Sequence, residues 1–244
     1  MKRIITHLIL LSVMIVAGAQ PNRNGDDDNY LRFGLTVGGV NTSISNVANV
    51  LVSESYYTGY TFENYPQWGF TGGVFINYRF TESVSALYAE LSYSPLACVI
   101  HYSDINDFEY DLKLQYQYIS IELWYKAYVF RGLYLGTGPR LGFNLTPGGL
   151  YYTSNGEELY GPDIRIQQQM RDVLKGRDNF SFGVGMGYDF ANGVSVGARY
   201  YHGISDVLTT EVNNFNFIEN RNTGRIFQVS LGYSFPYHFG RSGR

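Results

Sequence analysis

The feature that most constrains the fold is a strict alternation of apolar and polar side chains along eight separate segments of the chain. Successive side chains of a β-strand point to opposite faces, so a period of two predicts strands with one apolar and one polar face. The segments cover approximately residues 31–40, 68–80, 85–93, 118–126, 133–145, 180–190, 194–201 and 227–235. Eight antiparallel strands are enough to close a small β-barrel.

The connections between these segments alternate in length. Tight turns are predicted at Thr81-Glu82-Ser83, Arg131-Gly132 and Ala191-Asn192-Gly193. The other links are long and cover roughly residues 42–67, 101–113, 146–179 and 204–224. Short turns at one end and long loops at the other are typical of a barrel in the bacterial outer membrane.

The composition of the polar row indicates which face meets the solvent. Charged residues make up 16% of the chain and aromatic residues 17%. The polar row is mostly Gly, Ser, Thr and Asn, which suits the narrow interior of an eight-stranded barrel better than a water-exposed surface. A soluble barrel with its apolar row inside is the alternative. We predict an all-β fold, an eight-stranded antiparallel transmembrane β-barrel with short periplasmic turns and long extracellular loops.

The first residues have the pattern of a secretory signal peptide. Lys2 and Arg3 form a positive start, residues 8–16 are apolar, and small residues precede a cleavage site between Ala19 and Gln20. This divides the chain into a signal peptide (1–19), a periplasmic lead-in (20–30), the outer-membrane barrel (31–235) and a C-terminal tail (236–244). The net charge of -3 argues against a nucleic-acid partner bound through a basic face.

The predicted interior carries eight charged side chains. They are Arg32, Arg79, Glu90, Glu122, Lys126, Arg140, Asp189 and Arg199. The lumen of an eight-stranded barrel is only wide enough for side chains, and buried charges must be paired or hydrated. We therefore predict a structural charge network that fills the lumen and leaves no large channel. A pathway for a substrate is the alternative interpretation.

The third long loop contains a predicted helix. After Pro162, the run from Asp163 to Lys175 is helical in pattern and Gly176 ends it. Its apolar face is formed by Ile166, Met170, Val173 and Leu174. Apolar surface needs a cover, so this helix either caps the mouth of the barrel or docks another protein.

Three groups of residues only partly resemble chemical sites. They are the glycines Gly183, Gly185 and Gly187, the rim residues His202, Ser205 and Asp206, and the loop residues His101, Asp104, Asp107 and Glu109. The glycines follow a strand period without a helix, the rim residues lack the arrangement of a catalytic triad, and the loop residues lack the spacing of a calcium loop. We predict no catalytic residues, no metal site, no cofactor and no small-molecule substrate.

Four stretches resemble a known family. Leu87–Tyr93, Tyr118–Lys126, Leu133–Gly142 and Phe182–Tyr201 are similar to the eight-stranded outer-membrane barrels of Bacteroidetes. Within that group, the length, the long first and third loops and the terminal strand resemble the PorT family of the type IX secretion system.

This resemblance implies an accessory or assembly subunit in the export of cargo such as gingipain-type proteases. The lumen of eight strands is too narrow for folded cargo, so such a subunit would act beside a larger pore. The implied partners are the outer-membrane bilayer and other envelope proteins of the secretion system. A structural or adhesive surface barrel that acts through loops 42–67 and 146–179 is the alternative.

Overall fold

The computed structural model describes residues 31–51, 59–80, 84–211, 215 and 217–235. The predicted signal peptide, its cleavage site at Ala19–Gln20, the lead-in and the C-terminal tail lie outside the described residues. The predicted turn at 81–83 lies outside them as well.

The described residues form eleven strands. In chain order these are β1 (Leu31–Ile44), β2 (Tyr60–Arg79), β3 (Ser85–Asp104), β4 (Glu109–Phe130), β5 (Leu133–Asn144), β6 (Leu150–Ser154), β7 (Leu174–Gly176), β8 (Asn179–Asp189), β9 (Val194–Asp206), β10 (Leu208–Thr210) and β11 (Thr223–Phe235). Strands β6, β7 and β10 are short, and the other eight build the barrel.

The eight long strands form a closed antiparallel ring. Their order around the ring is β1, β2, β3, β4, β5, β8, β9 and β11, and β11 pairs back onto β1. The predicted eight-stranded antiparallel barrel is therefore confirmed. Closure removes both sheet edges, so the strands satisfy one another's backbone hydrogen bonds around the whole ring.

The stagger of the ring can be followed through directly paired residues. The path leads through Leu31, Tyr78, Leu87, Tyr125, Thr137, Val184, Tyr200 and Phe227 and returns to β1 at Asn41. One circuit therefore displaces the register by ten residues along β1. Eight strands with this shear are inclined by about 40° to the barrel axis.

The outward face of the ring carries an apolar band. On β1, Phe33, Leu35 and Val37 point outward and are exposed, and Asn41 marks the upper end of the band. Ten residues of a strand inclined by about 40° climb about 25 Å, which is the height of the apolar band of transmembrane barrels.

Above this band the two faces of the strands exchange character. On the lower part of β4, Ile119 and Ile121 point outward and are exposed, whereas Leu112 and Leu114 on its upper part are fully buried. The outward positions there are polar, such as Lys113. A wall that faces water outside must place its apolar side chains inside. The upper wall is therefore built like a soluble protein.

This exchange corrects three predicted loops. The predicted link 101–113 is a connection of four residues, 105–108, between two strands that continue well beyond the apolar band. The parts of the predicted links at 60–67 and 204–206 also belong to strands. At 109–114 the inward positions of β4 stay in phase but the apolar side chains change sides, so the alternation predicted from hydrophobicity is interrupted. On β2 the register against β3 shifts between Pro66 and Gly72, so there the inward phase itself changes.

Three helices accompany the upper strands. They are α1 (Val47–Leu51), α2 (Glu157–Tyr160) and α3 (Asp163–Val173). The predicted helix 163–175 thus ends two residues early, because Leu174 is extended and begins β7. None of the helices in the described residues is long and apolar enough to cross a membrane.

The spacing of glycines on β8 reflects packing in the lumen. Gly183 points inward, and a Cβ atom there would lie 2.9 Å from Trp124 and 2.9 Å from Tyr201. These two rings meet edge to face with centroids 5.6 Å apart. The missing side chain therefore provides the space that the two rings occupy.

We expect Gly183→Leu to destabilise the barrel by about 1–3 kcal/mol, because overpacking forces the Trp124 and Tyr201 rings apart. The free energy of unfolding in urea, measured on protein refolded into phospholipid vesicles, checks this. Val184→Leu is the matched control, because Val184 points outward from the same strand and should change stability by less than about 0.5 kcal/mol. Equal unfolding midpoints for both variants would contradict the packing argument.

Candidate functional site

Buried ionic side chains cross the lumen at the middle of the apolar band. Arg199 Nη1 on β9 lies 2.7 Å from Glu90 Oε2 on β3 and 3.1 Å from Glu122 Oε2 on β4. Arg140 Nε on β5 lies 3.3 Å from Glu122 Oε1. Strands β3 and β9 stand opposite each other in the ring, so the Arg199–Glu90 pair spans the width of the lumen.

Neighbouring polar groups satisfy part of this ion cluster, which consists of Glu90, Glu122, Arg140 and Arg199. Among the described residues, Glu90 Oε1 and Arg140 Nη1 are buried without a hydrogen-bond partner. Glu122 also accepts hydrogen bonds from Trp124 Nε1 at 3.1 Å, from Ser92 Oγ at 3.2 Å and from the Tyr201 hydroxyl. Tyr88 donates to Glu90 Oε2 at 2.6 Å, and Arg140 donates to Ser94. A buried charge is tolerable when it is paired and hydrogen bonded in this way.

A second ionic group lies nearer the end with the short turns. Lys126 Nζ is 3.6 Å from Asp189 Oδ2 and lies over the rings of Tyr88 and Tyr134. Asp189 also accepts a hydrogen bond from Tyr128 at 2.6 Å.

The remaining two predicted lumen residues lie at the lower rim. Arg79 is exposed and lies over the Tyr128 ring, 4.4 Å from its centroid. Arg32 is half-buried near the start of β1. The structure thus brings four of the eight predicted charges into one cluster and places Lys126 and Asp189 in a second pair. Arg32 and Arg79 lie at the lower rim of the barrel.

The upper end of the barrel is filled by a hydrophobic core. Its buried members include Leu96, Cys98, Ile100, Leu112, Leu114, Leu150, Met170, Leu174 and Leu208. We call this core and the helices and strands that enclose it the extracellular cap. Burial among apolar side chains raises the pKa of the Cys98 thiol to about 12. Ion cluster and cap together occupy the axis of the barrel where a channel would have to run.

Helix α3 covers an open sheet edge in the cap. Above the end of β5, the short strand β6 pairs with β4 and leaves its other edge unpaired in the sheet. Asp163 Oδ2 accepts the Ser154 N–H at 2.7 Å, and Gln167 Oε1 accepts the Tyr152 N–H at 2.9 Å. Further along the helix, Arg171 Nε donates to the Leu150 carbonyl at 2.7 Å.

These three contacts repeat every four residues on the helix and every two on the strand. Four residues advance a helix by about 6 Å, and two residues advance a strand by about 6.7 Å. One face of the helix can therefore follow the edge of the strand. Asp163, Gln167 and Arg171 were not predicted as functional residues. Their i, i+4, i+8 spacing was the available signal, but it also fits an ordinary solvated helix face.

The predicted apolar face of this helix is turned inward. Met170 and Leu174 are buried in the cap core, Ile166 packs against it, and Val173 is half-buried. In the structure the helix covers the upper end of the barrel, which is the first of the two interpretations of this face. The apolar face is not open to a partner.

The other candidate residues do not assemble into catalytic or metal sites. Ser205 Oγ accepts the Phe180 N–H at 2.8 Å and Asp206 Oδ1 accepts the Asn222 N–H at 3.0 Å, so both oxygens cap backbone groups. His202 is exposed and contacts neither of them. In the described part of the chain, no group of His, Cys, Asp and Glu side chains is arranged to hold a metal ion.

The loop residues that only partly resemble a calcium loop have structural roles. Asp104 Oδ1 accepts the N–H groups of Asn106 and Phe108 and shapes the turn between β3 and β4. His101 Nδ1 lies 2.7 Å from Asp111 Oδ1 on the outward face. The hydrogen bond to Asp111 raises the pKa of His101, although burial opposes it.

Comparison with known proteins agrees with this architecture. Residues 18–209 match the family described as outer membrane protein beta-barrel domain. The chain belongs to this family. The chain is thus a protein of the outer membrane, as predicted, and the apolar band of its barrel faces lipid. No curated protein matches the chain significantly.

Several solved structures are similar to this outer-membrane barrel. Neisserial surface protein A is 14% identical, with 83% of this chain and 97% of that chain covered and a TM-score of 0.39. OprG from Pseudomonas aeruginosa is 12% identical, with 84% and 94% covered and a TM-score of 0.40. Ail, the attachment invasion locus protein of Yersinia pestis, is 11% identical, with 84% and 98% covered and a TM-score of 0.38. The family assignment rests on residues 18–209 alone.

We expect Glu122→Gln to destabilise the outer-membrane barrel by about 3–5 kcal/mol, because it leaves Arg140 and Arg199 with one buried carboxylate instead of two. Urea unfolding in phospholipid vesicles measures the change. Glu158→Gln makes the same substitution at an exposed position of α2 and should change stability by less than about 0.5 kcal/mol. If both variants unfolded at the same urea concentration, the ion cluster would not stabilise the barrel.

The double variant Asp163→Ala, Gln167→Ala should expose the edge of β6 while the membrane-spanning ring stays intact. We expect the amide hydrogens of Tyr152 and Ser154 to exchange roughly tenfold faster or more, since each loses a side-chain acceptor. Hydrogen exchange read by mass spectrometry checks this. Gln168→Ala removes an exposed side chain from the same helix and should leave both amides protected. Unchanged protection in the double variant would show that α3 does not guard the edge.

Proposed function

We propose that this outer-membrane barrel is an accessory or assembly subunit of type IX protein secretion, as in the PorT family. It would act in the export of cargo such as gingipain-type proteases and would reach the outer membrane by means of the signal peptide 1–19. The proposed partners are other envelope proteins of the secretion system. The role comes from the resemblance of four strand segments, and the geometry of the barrel limits how it can be performed.

The occupied lumen is the observation that supports an accessory role instead of a pore. The Arg199–Glu90 pair joins opposite walls at the middle of the membrane, and the cap core fills the outer mouth. A folded cargo protein is far wider than the lumen of eight strands even when that lumen is empty. A secretion role must therefore be exercised through surfaces of the barrel beside a separate pore.

The surface available for this role is the tall side of the barrel. Strands β2, β3 and β4 continue for about 20 Å beyond the apolar band. Their outward face carries a row of polar side chains in register across the three strands, namely Glu63, His101 and Asp111. Because α3 and the core support the inner side of this wall, it offers a partner a preformed surface with little ordering cost.

An adhesive or structural surface barrel is the second candidate. The same tall wall favours it, because it stands clear of the membrane on the cell exterior and ends in Ile105, which is 81% exposed. In that case the loops would contact a surface outside the cell instead of secretion proteins.

Deletion of the gene should abolish the appearance of cargo protease activity at the cell surface and in the medium, and the wild-type chain should restore it. A crosslinker attached to Gly148→Cys should capture envelope proteins of the secretion system, because Gly148 is exposed beside the cap and no atom lies within 4 Å of the position that a Cβ would take. Cys98 is buried with a raised pKa, so the thiol reagent reacts at position 148 alone.

Asn192→Cys in the turn between β8 and β9 is the matched control. It should be shielded from a membrane-impermeant thiol reagent on intact cells, whereas Gly148→Cys should be labelled. Normal cargo export after deletion, combined with loss of attachment to a surface, would replace the secretion proposal by the adhesive one.

A further inference from the structure

We propose that the lumen binds an ordered water molecule in a polar niche at the upper side of the ion cluster. The niche consists of Gly142 and the four buried side chains that surround it, Ser120, Arg140, Asn179 and Ser181. This inference needs only the fold of the barrel and is independent of the secretion role.

Gly142 lies at the centre of the niche because the register of three strands places a polar residue on each side of it. Ser120 on β4 pairs directly with Gly142, and so does Asn179 on β8. Arg140 lies two residues earlier on β5 and pairs with Ser181 on β8. Directly opposite residues on one face of a sheet are about 5 Å apart, and diagonal neighbours are about 7–8 Å apart. The four side chains therefore surround the glycine on the lumen side of the wall.

Each of the four side chains has a buried polar atom that lacks a hydrogen-bond partner among the described residues. These atoms are Ser120 Oγ, Arg140 Nη1, Asn179 Oδ1 and Ser181 Oγ. None of the four residues is more than 6% exposed. A buried polar group without a hydrogen bond is costly in free energy, and most such groups in folded proteins have a partner. Four of them around one glycine indicate a bound ligand that supplies the hydrogen bonds.

The donors and acceptors of the niche select water as this ligand. The Arg140 guanidinium can only donate, the Asn179 amide oxygen can only accept, and the two serine hydroxyls can do either. A metal cation could not accept a hydrogen bond from the arginine, and a halide anion could not donate one to the amide oxygen. Water does both, and buried water makes two to four hydrogen bonds.

The missing side chain of Gly142 determines where the water lies. A Cβ atom at this position would be 3.2 Å from Ser120 Oγ and 3.5 Å from the Asn179 carbonyl oxygen, with the Tyr118 ring at 3.1 Å. An oxygen atom near the same position therefore reaches polar atoms on both neighbouring strands. The residues on either side of Gly142 point outward and are exposed to lipid, so bulk water does not reach the niche through the wall.

The niche lies where the ion cluster meets the extracellular cap. Arg140 belongs to the cluster, and Leu96 belongs to the core of the cap. A Cβ atom at Gly224 would be 3.1 Å from Leu96 and 3.2 Å from Asn179 Nδ2, so Asn179 lies against the base of the cap. The water thus joins the ion cluster to the cap by hydrogen bonds and occupies an enclosed position on the axis of the barrel.

The double variant Ser120→Ala, Ser181→Ala tests the proposal through the sign of its effect on stability. If the niche binds water, the variant loses two hydrogen bonds, and we expect the equilibrium constant for unfolding to rise roughly tenfold. If the hydroxyls have no partner, their removal relieves two unsatisfied buried groups and stabilises the barrel. Urea unfolding of the full mature chain in phospholipid vesicles measures the change. An unfolding midpoint equal to or higher than that of the wild type would overturn the proposal.

Ser103→Ala is the matched control, because Ser103 is half-buried near the upper end of β3 and lies outside the niche. It should leave the unfolding midpoint unchanged.

A crystal structure of the wild-type barrel in detergent, at a resolution that shows ordered water, tests the site directly. We expect density within hydrogen-bond distance of Ser120 Oγ and Arg140 Nη1, and its loss in the double variant. A niche without density in the wild type would overturn the proposal. Crystals soaked in bromide identify an anion by its anomalous scattering, and a bromide ion in the niche would overturn the assignment to water.

Discussion

Closure of the strand ring with a shear of ten residues is the constraint on which the rest of the structure depends. In hydrocarbon, an unpaired backbone N–H or C=O has no water to bind, so each strand must find both neighbours. Eight strands and this shear set the inclination of the strands and the width of the lumen. The lumen is then narrow enough for Arg199 of one wall to contact Glu90 of the opposite wall. The ion cluster is thus a consequence of how the ring closes.

Much of the ring could be predicted from the sequence because lipid and lumen impose opposite demands on successive residues. The alternation at 227–235 predicts an outward Phe227 and an inward Gln228, and the structure has both. The upper walls could not be predicted in the same way. Between Ile119 and Leu114 the outside changes from lipid to water, so the apolar side chains move to the other face and the pattern shifts phase.

The candidate site shows a similar division. Strand parity indicates that Glu90, Glu122, Arg140 and Arg199 share the interior, but the choice of partners depends on shear and cannot be obtained from one strand at a time. A helix over 163–175 was predicted from its apolar spacing, and the structure has it over 163–173. Its polar face along β6 was not predicted, because contacts between a helix side chain and a strand backbone depend on how the chain returns to β4.

The edge of β6 makes the hydrogen bonding around the barrel wall non-uniform. Within the membrane, every junction between neighbouring strands is a ladder of backbone hydrogen bonds, and none can be parted without exposing peptide groups to lipid. Beyond the membrane, the outer edge of β6 is covered instead by side chains of α3. Water can replace their hydrogen bonds to the β6 backbone. The contact between α3 and β6 can therefore open at a modest cost in free energy while the membrane-spanning ring below it stays closed. Opening at this edge would break side-chain hydrogen bonds and leave every backbone ladder of the ring intact.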